Sequence, residues 1–363
     1  MRYISRNHML FFLTQARCLL LFLFVLFGLK GCTYKAHPKD EWYFSDAPWS
    51  QIRLARTGET PAPQDTMVLM CSNRVFHPER KKILGDEMDS VGASRLFLLV
   101  SKQGEWILYP LKSIEEGMRY QRKRNLVVYV EGMGKNFVLA AERASEISKQ
   151  NDVSVVMMDY PSIHPGLGMH ANFKYARHNA SQSAPQLVSL LQELQRNKQQ
   201  GKEWTTVKWT LFLHSMGNIL LERIAKEQLD SVLSPGLFDI VALNAPCVNQ
   251  RNHHLWLEHL ALGKTILVHY NHQDKQLNGA MLLLFHRQLG ARPHFPLARN
   301  AHYVDFNPIL GSLHSAFVEI PRRPPIPLRS KQYFRRLFHG QVPDFSDSTQ
   351  FGKGWKGIGV SLK

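Results

Sequence analysis

Cysteine is scarce: there are four in 363 residues, with Cys18 and Cys32 close to the N-terminus and only Cys71 and Cys247 left for the body. Two cysteines so far apart, each among apolar neighbours, give no disulfide framework, and buried free thiols are the expected state. No CxxC or HExxH spacing occurs. His253 and His254 are adjacent, so their imidazoles would diverge on a helix, and neither a metal nor a cofactor is expected. The apolar run Leu19–Phe27 falls short of the roughly 20 residues that a membrane-spanning helix needs. Acidic residues are missing from residues 1–31, and missing again between Asp159 and Glu193.

What is present describes a globular chain. With 44% hydrophobic and 20% charged residues it can bury one large core or two modest ones. The formal charge of +16 favours anionic surroundings such as phospholipid headgroups, acidic polymers or nucleic acid. No nucleic-acid recognition element is found, so no nucleic-acid partner is expected. Residues 1–31 read as a signal peptide or anchor, because Arg17 precedes the short apolar run. Next comes Leu29-Lys30-Gly31-Cys32, which resembles the lipobox of bacterial lipoproteins, with Lys30 standing where a small or apolar residue is usual. Three readings stay open: lipidation at Cys32, ordinary cleavage, or an uncleaved anchor starting near Met9. All three place the body outside the cytoplasm. The lipobox resemblance implies a membrane-anchored lipoprotein of a bacterial envelope, and with Cys32 lipidated, Thr33 in place of aspartate implies sorting to the outer membrane of a Gram-negative envelope.

Residues 32–64, polar and proline-bearing, read as a tether. From Thr66 the texture changes. Thr66–Met70, Leu96–Val100 and Trp106–Tyr109 look like leading strands. After Arg124, apolar strands alternate with helical stretches: Leu126–Val130, Val153–Met158, Val207–Leu213, Ile240–Leu243, Thr265–Val268 and Tyr303–Phe306. Near-continuous apolar strands separated by amphipathic helices predict an α/β architecture, a mostly parallel sheet covered on both faces, over residues 65–320. In such sheets the chemistry gathers at the carboxyl ends of the strands.

One strand ends in Leu213-His214-Ser215-Met216-Gly217-Asn218. A serine on a tight strand-to-helix turn thrusts its hydroxyl out of the sheet, and the following helix offers N–H donors and a positive dipole end to an oxyanion. Gly217 supplies the small neighbour such a turn demands, whereas Leu213 stands where the GxSxG signature has its first glycine. A serine nucleophile needs a base and an orienting acid, in the chain order serine, acid, histidine. Asp274, after the strand ending at Tyr270, and His314, after the strand ending at Phe306, meet that order. His302 and His272 are the alternative bases; Asp305 and Asp239, within or opening strands, are expected to be structural. The oxyanion donors are expected from Met216 and from Met133, the latter in the glycine-rich loop Glu131–Asn136.

These pieces together resemble the bacterial family of α/β hydrolases of unknown function that carry a His-Ser-Met-Gly-Asn nucleophile elbow. The similarity runs from about Thr66 to Phe317, through Val68–Arg74, Val128–Gly132, Tyr160-Pro161-Ser162, His214–Asn218, Asn244-Ala245-Pro246, Asn271–Leu277 and Gly311–Ser315. The resemblance implies the α/β-hydrolase fold and a Ser-His-Asp triad. Three features depart from it: Glu131 where the family has histidine, Cys247 where it has aspartate after Ala-Pro, and no acid after the Tyr-Pro-Ser loop.

Beyond Phe317 the chain turns basic and proline-rich, with Arg322, Arg323, Arg329, Lys331, Arg335 and Arg336 and the aromatics Tyr333, Phe334 and Phe338. Residues 321–363 read as an extension draped over the domain or laid on an anionic membrane. The function expected is an envelope-located serine hydrolase acting on an ester-type acyl bond. An acyltransferase and a non-catalytic interaction protein on a hydrolase scaffold are the alternatives.

Overall fold

The computed structural model describes residues 41–62, 65–89, 92, 94–102, 104–121 and 124–363; Cys32 and the segment 1–31 lie outside them. The strands are β1 (Ile52–Leu54), β2 (Thr66–Ser72), β3 (Arg74–Phe76), β4 (Leu84–Met88), β5 (Arg95–Lys102), β6 (Glu105–Leu111), β7 (Leu126–Val130), β8 (Ser154–Asp159), β9 (Trp209–His214), β10 (Phe238–Asn244), β11 (Gly263–Tyr270), β12 (Ala301–Asp305), β13 (Phe351–Lys353) and β14 (Val360–Leu362). The main helices are α1 (Glu41–Phe44), α2 (Ile114–Tyr120), α3 (Phe137–Asn151), α4 (Met169–Gln182), α5 (Ala184–Gln200), α6 (Asn218–Lys226), α7 (Lys275–Leu284) and α8 (Leu328–Phe338).

One sheet runs β1-β6-β5-β2-β8-β7-β9-β10-β11-β12-β14-β13, and β3 and β4 form a separate hairpin. From β2 through β14 neighbouring strands are parallel, while β5 and β6 join antiparallel at one edge and β13 at the other. The apolar strands expected from sequence are all present, and their burial explains their composition. β7, β8, β9 and β10 are buried at every position, because helices cover both faces. One core layer, with α4, α5 and α6, holds Leu187, Leu191, Leu213 and Leu220; the other, with α3 and α8, holds Tyr129, Phe137, Phe212 and Phe334. This is the α/β-hydrolase fold.

Two boundaries expected from sequence do not coincide with the limits of packing. Within the presumed tether, Tyr43 is buried and donates to Glu142, Trp49 stacks on Phe137, and β1 pairs with β6. Within the presumed extension, α8 buries Tyr333, Phe334, Leu337 and Phe338 against Phe212, Phe306 and Phe317, and β14 continues the sheet beside β12. The basic residues of α8 occupy its outer face, so the segment is amphipathic and its aromatic stripe belongs to the core. Cys71 and Cys247 are buried free thiols, and burial pushes both up to about 12. Among the described residues, no helix is long and apolar enough to cross a membrane.

Candidate active site

The carboxyl ends of β7, β9, β11 and β12 bring the sequence-predicted residues to one edge of the sheet. Ser215 follows β9 directly and adopts φ +52, a left-handed conformation that costs a non-glycine residue on the order of 1–3 kcal/mol. The surroundings hold it there. Asn218 Nδ2 donates to the carbonyls of Leu213 (3.1 Å) and Ser215 (3.0 Å), and Cys247 N–H donates to the Ser215 carbonyl (3.1 Å). A Cβ on Gly217 would lie 2.8 Å from the carbonyl oxygens of both Val130 and Glu131, so this position admits only glycine without a shift of β7. Leu213, in contrast, fits where the GxSxG signature has glycine, because its side chain joins the apolar layer.

Asp274 caps α7. Its Oδ1 accepts from the backbone N–H groups of Gln276 (2.9 Å) and Leu277 (3.0 Å), which fixes the carboxylate and leaves Oδ2 for His314 Nδ1 at 2.5 Å. Both side chains are almost fully buried. With Nδ1 so engaged, Nε2 of His314 is the ring nitrogen left to exchange a proton. Ser215 Oγ forms no hydrogen bond to His314, whose ring is engaged through Nδ1 with Asp274. The alternative bases lie elsewhere: His302 stacks on Phe345 and His272 on Trp355. Asp239 binds Lys208, Lys264 and the Trp209 N–H, and Asp305 accepts from Asn307 and Trp355, as expected of structural acids. His253 is also structural, bonded to the Gln250 carbonyl and to Tyr303 Oη.

The loop after β7 passes against the elbow. A Cβ on Gly132 would lie 2.6 Å from Ser215 Cβ and 3.2 Å from Met216 N, so glycine permits the approach. The Gly132 N–H is occupied by Glu131 Oε1 (2.7 Å), and Met133 is the next residue along the loop. The Tyr160-Pro161-Ser162 segment braces this loop, Gly134 N–H donating to the Ser162 carbonyl and Lys135 N–H to Ser162 Oγ. Arg74, from the Val68–Arg74 stretch, is buried and paired with Asp159 at 2.9 Å, a scaffold role at the end of β8.

Several contributors were not foreseen. Glu131 is buried, accepts from Tyr129 Oη and pairs with Arg143 at 3.0 Å; Arg143 Nη1 also donates to Ser315 Oγ at 2.9 Å, beside His314. Burial alone would raise the Glu131 carboxyl, yet the buried Arg143 guanidinium beside it holds it far below the usual range. Asn271 Nδ2 donates to the carbonyls of Gly311 (2.8 Å) and Leu313 (3.0 Å), so the His314 loop is pinned on both sides. His214 accepts from Asn244 Nδ2 at 2.9 Å, and its ring lies 4.8 Å from that of His314. Burial pushes His214 well below its ordinary value, which keeps it neutral beside the candidate base.

Residues 111–291 match the model of a family described as alpha/beta hydrolase of unknown function. The matched segment contains Ser215 and Asp274 and ends before His314. Among solved structures, the chain is similar to carboxyl esterase 2 from the mycorrhizal fungus Tuber melanosporum, at 11% identity and a TM-score of 0.38, over 84% of this chain and 98% of that one. No curated protein matches. The matched segment, the sheet order and the strand-turn-helix around Ser215 agree with one another: the chain belongs to the α/β hydrolases, within this family of unknown function.

Proposed function

We propose that this protein is a serine hydrolase that cleaves an ester-type acyl bond through Ser215, His314 and Asp274. The observation that carries the reading is the pairing of a left-handed Ser215 on a strand-to-helix turn with a buried Asp274–His314 hydrogen bond at the same sheet edge. In this mechanism Ser215 Oγ attacks the acyl carbon while His314 Nε2 takes the hydroxyl proton. The backbone N–H groups of Met133 and Met216 receive the oxyanion. Collapse of the tetrahedral intermediate breaks the bond to the leaving oxygen, which takes the proton from His314. Water, activated by His314, then attacks the acyl-enzyme and returns Ser215 to its starting state. An acceptor alcohol in place of that water would make the same site an acyltransferase.

Turnover of p-nitrophenyl butyrate by the full chain and by Ser215→Ala tests the reading. Hydrolysis by the wild type that vanishes in the variant, with unchanged circular dichroism, is expected; equal rates would remove Ser215 from the chemistry. Location in the bacterial envelope, with Cys32 lipidated and the protein held at the outer membrane, is part of the proposal and rests on Leu29-Lys30-Gly31-Cys32. Metabolic labelling with an alkyne fatty acid should mark the wild type and not Cys32→Ala.

A further inference from the structure

The stretch from Tyr160 to Gln192 contains no acid, although α4 within it carries His170, Lys174, Arg177 and His178. These four line a groove of about 510 Å³ between α4, α6 and the end of α7, a size suited to a small amphiphile. Two of its walls start at the candidate site. α6 begins three residues after Ser215, and α7 begins at its cap Asp274. α4 packs against the Ser215–Gly217 turn.

The charges in the groove are unequally matched. Glu222 of α6 pairs with Lys226 at 2.7 Å and Glu227, its C-cap, with Arg223 at 2.9 Å, so both acids are engaged by cations of α6 itself. Among the described residues, His170, Lys174, Arg177 and His178 have no acidic partner. Lys174 and Arg177 stand three residues apart on α4, a spacing at which like charges weaken a helix. Structural use alone gives that arrangement no compensation, whereas an anion would. Beneath the cations the lining is apolar: Phe173, Ile219, Leu283 and Leu284. Ile219 stands about one helical turn beyond Ser215.

We infer that the α4–α6–α7 groove is the substrate-binding site for an acyl ester bearing an anionic head, phosphate or carboxylate, with Lys174 and Arg177 on the head and Phe173, Ile219, Leu283 and Leu284 along the hydrocarbon. The substrate role rests on the hydrolase reading above; anion binding does not. Binding is therefore measured apart from turnover, by titration calorimetry of the full chain with octyl phosphate, octyl glucoside and inorganic phosphate below micellar concentrations. Octyl phosphate should bind at least tenfold more tightly than either comparator. Lys174→Gln/Arg177→Gln should weaken it at least tenfold while changing octyl glucoside less than threefold. Equal octyl phosphate affinity in wild type and double variant would overturn the anion site, and equal affinity for inorganic phosphate would overturn the hydrocarbon half. In a second measurement, the ratio of kcat/KM for 4-nitro-3-(octanoyloxy)benzoate to that for p-nitrophenyl octanoate should fall about tenfold in the double variant. A lost binding preference with an unchanged kinetic ratio would reject the substrate role and leave the anion site standing. Turnover unaffected by Ser215→Ala would instead reject the hydrolase reading, whatever the binding result.

Discussion

Ser215 stands on a strained turn and Asp274 and His314 share one side-chain hydrogen bond, whereas Glu131, Arg143 and Ser315 next to them are joined by a buried ion pair and its satellites. The first group spends stability, since the left-handed serine is costly. The second ties the start of the Glu131–Asn136 loop to the His314 segment. Removing one partner of such a buried pair leaves an uncompensated charge. On the proposed mechanism, chemistry and rigidity are divided between adjacent clusters, so substitutions in one should show up in rate and in the other in stability.

Asp274→Asn makes the sharpest separation, because asparagine can still cap α7 but no longer orients and balances the His314 ring. The esterase rate should drop on the order of 10⁴-fold with an unchanged denaturation midpoint. A loss below about tenfold would mean that another acid serves His314. Gly132→Ala places a methyl against Ser215 and near Met216 N. A displacement of the elbow by a fraction of an ångström should cost about 100-fold in rate, read by the same assay. Glu131→Gln belongs to the other cluster and should cost about 3–5 kcal/mol in urea unfolding, as Arg143 is left buried and unpaired.

The pH dependence of that difference has a definite sign. Glu131 lies below its unfolded value in the native state, so its contribution is complete above roughly pH 4.3 and drains away as pH falls. Wild type and Glu131→Gln should therefore converge in stability on acidification; a gap that stayed constant down to low pH would separate the effect from ionisation. Asn218→Ala should be the mildest, about 1 kcal/mol, through loss of the two carbonyl contacts at the elbow.

Legibility in the sequence followed the same division. Ser215, Asp274 and His314 each follow an apolar strand, so the strands, the tight turn at Ser215 and the chain order serine, acid, histidine were enough to single them out. The Glu131–Arg143–Ser315 cluster spans 12 residues in one contact and 172 in the other, and no local pattern announces such partners. Glu131 was visible only as a departure from the related family's histidine. The amphipathic α8 was hidden differently: its cations dominate the composition, while Tyr333, Phe334, Leu337 and Phe338 fall at helical spacing onto one buried face. The β1 and β14 additions are three residues each, too short for periodicity to register.

Covalent capture tests the central claim most directly, because an activated serine reacts with a fluorophosphonate and an ordinary helix-cap serine does not. Intact-mass analysis of the full chain after exposure to such a probe, followed by peptide mapping, should show one adduct on Ser215. The adduct should be absent in Ser215→Ala and slow to form in Asp274→Asn. No adduct at neutral pH, or one mapped to a different serine, would contradict the account.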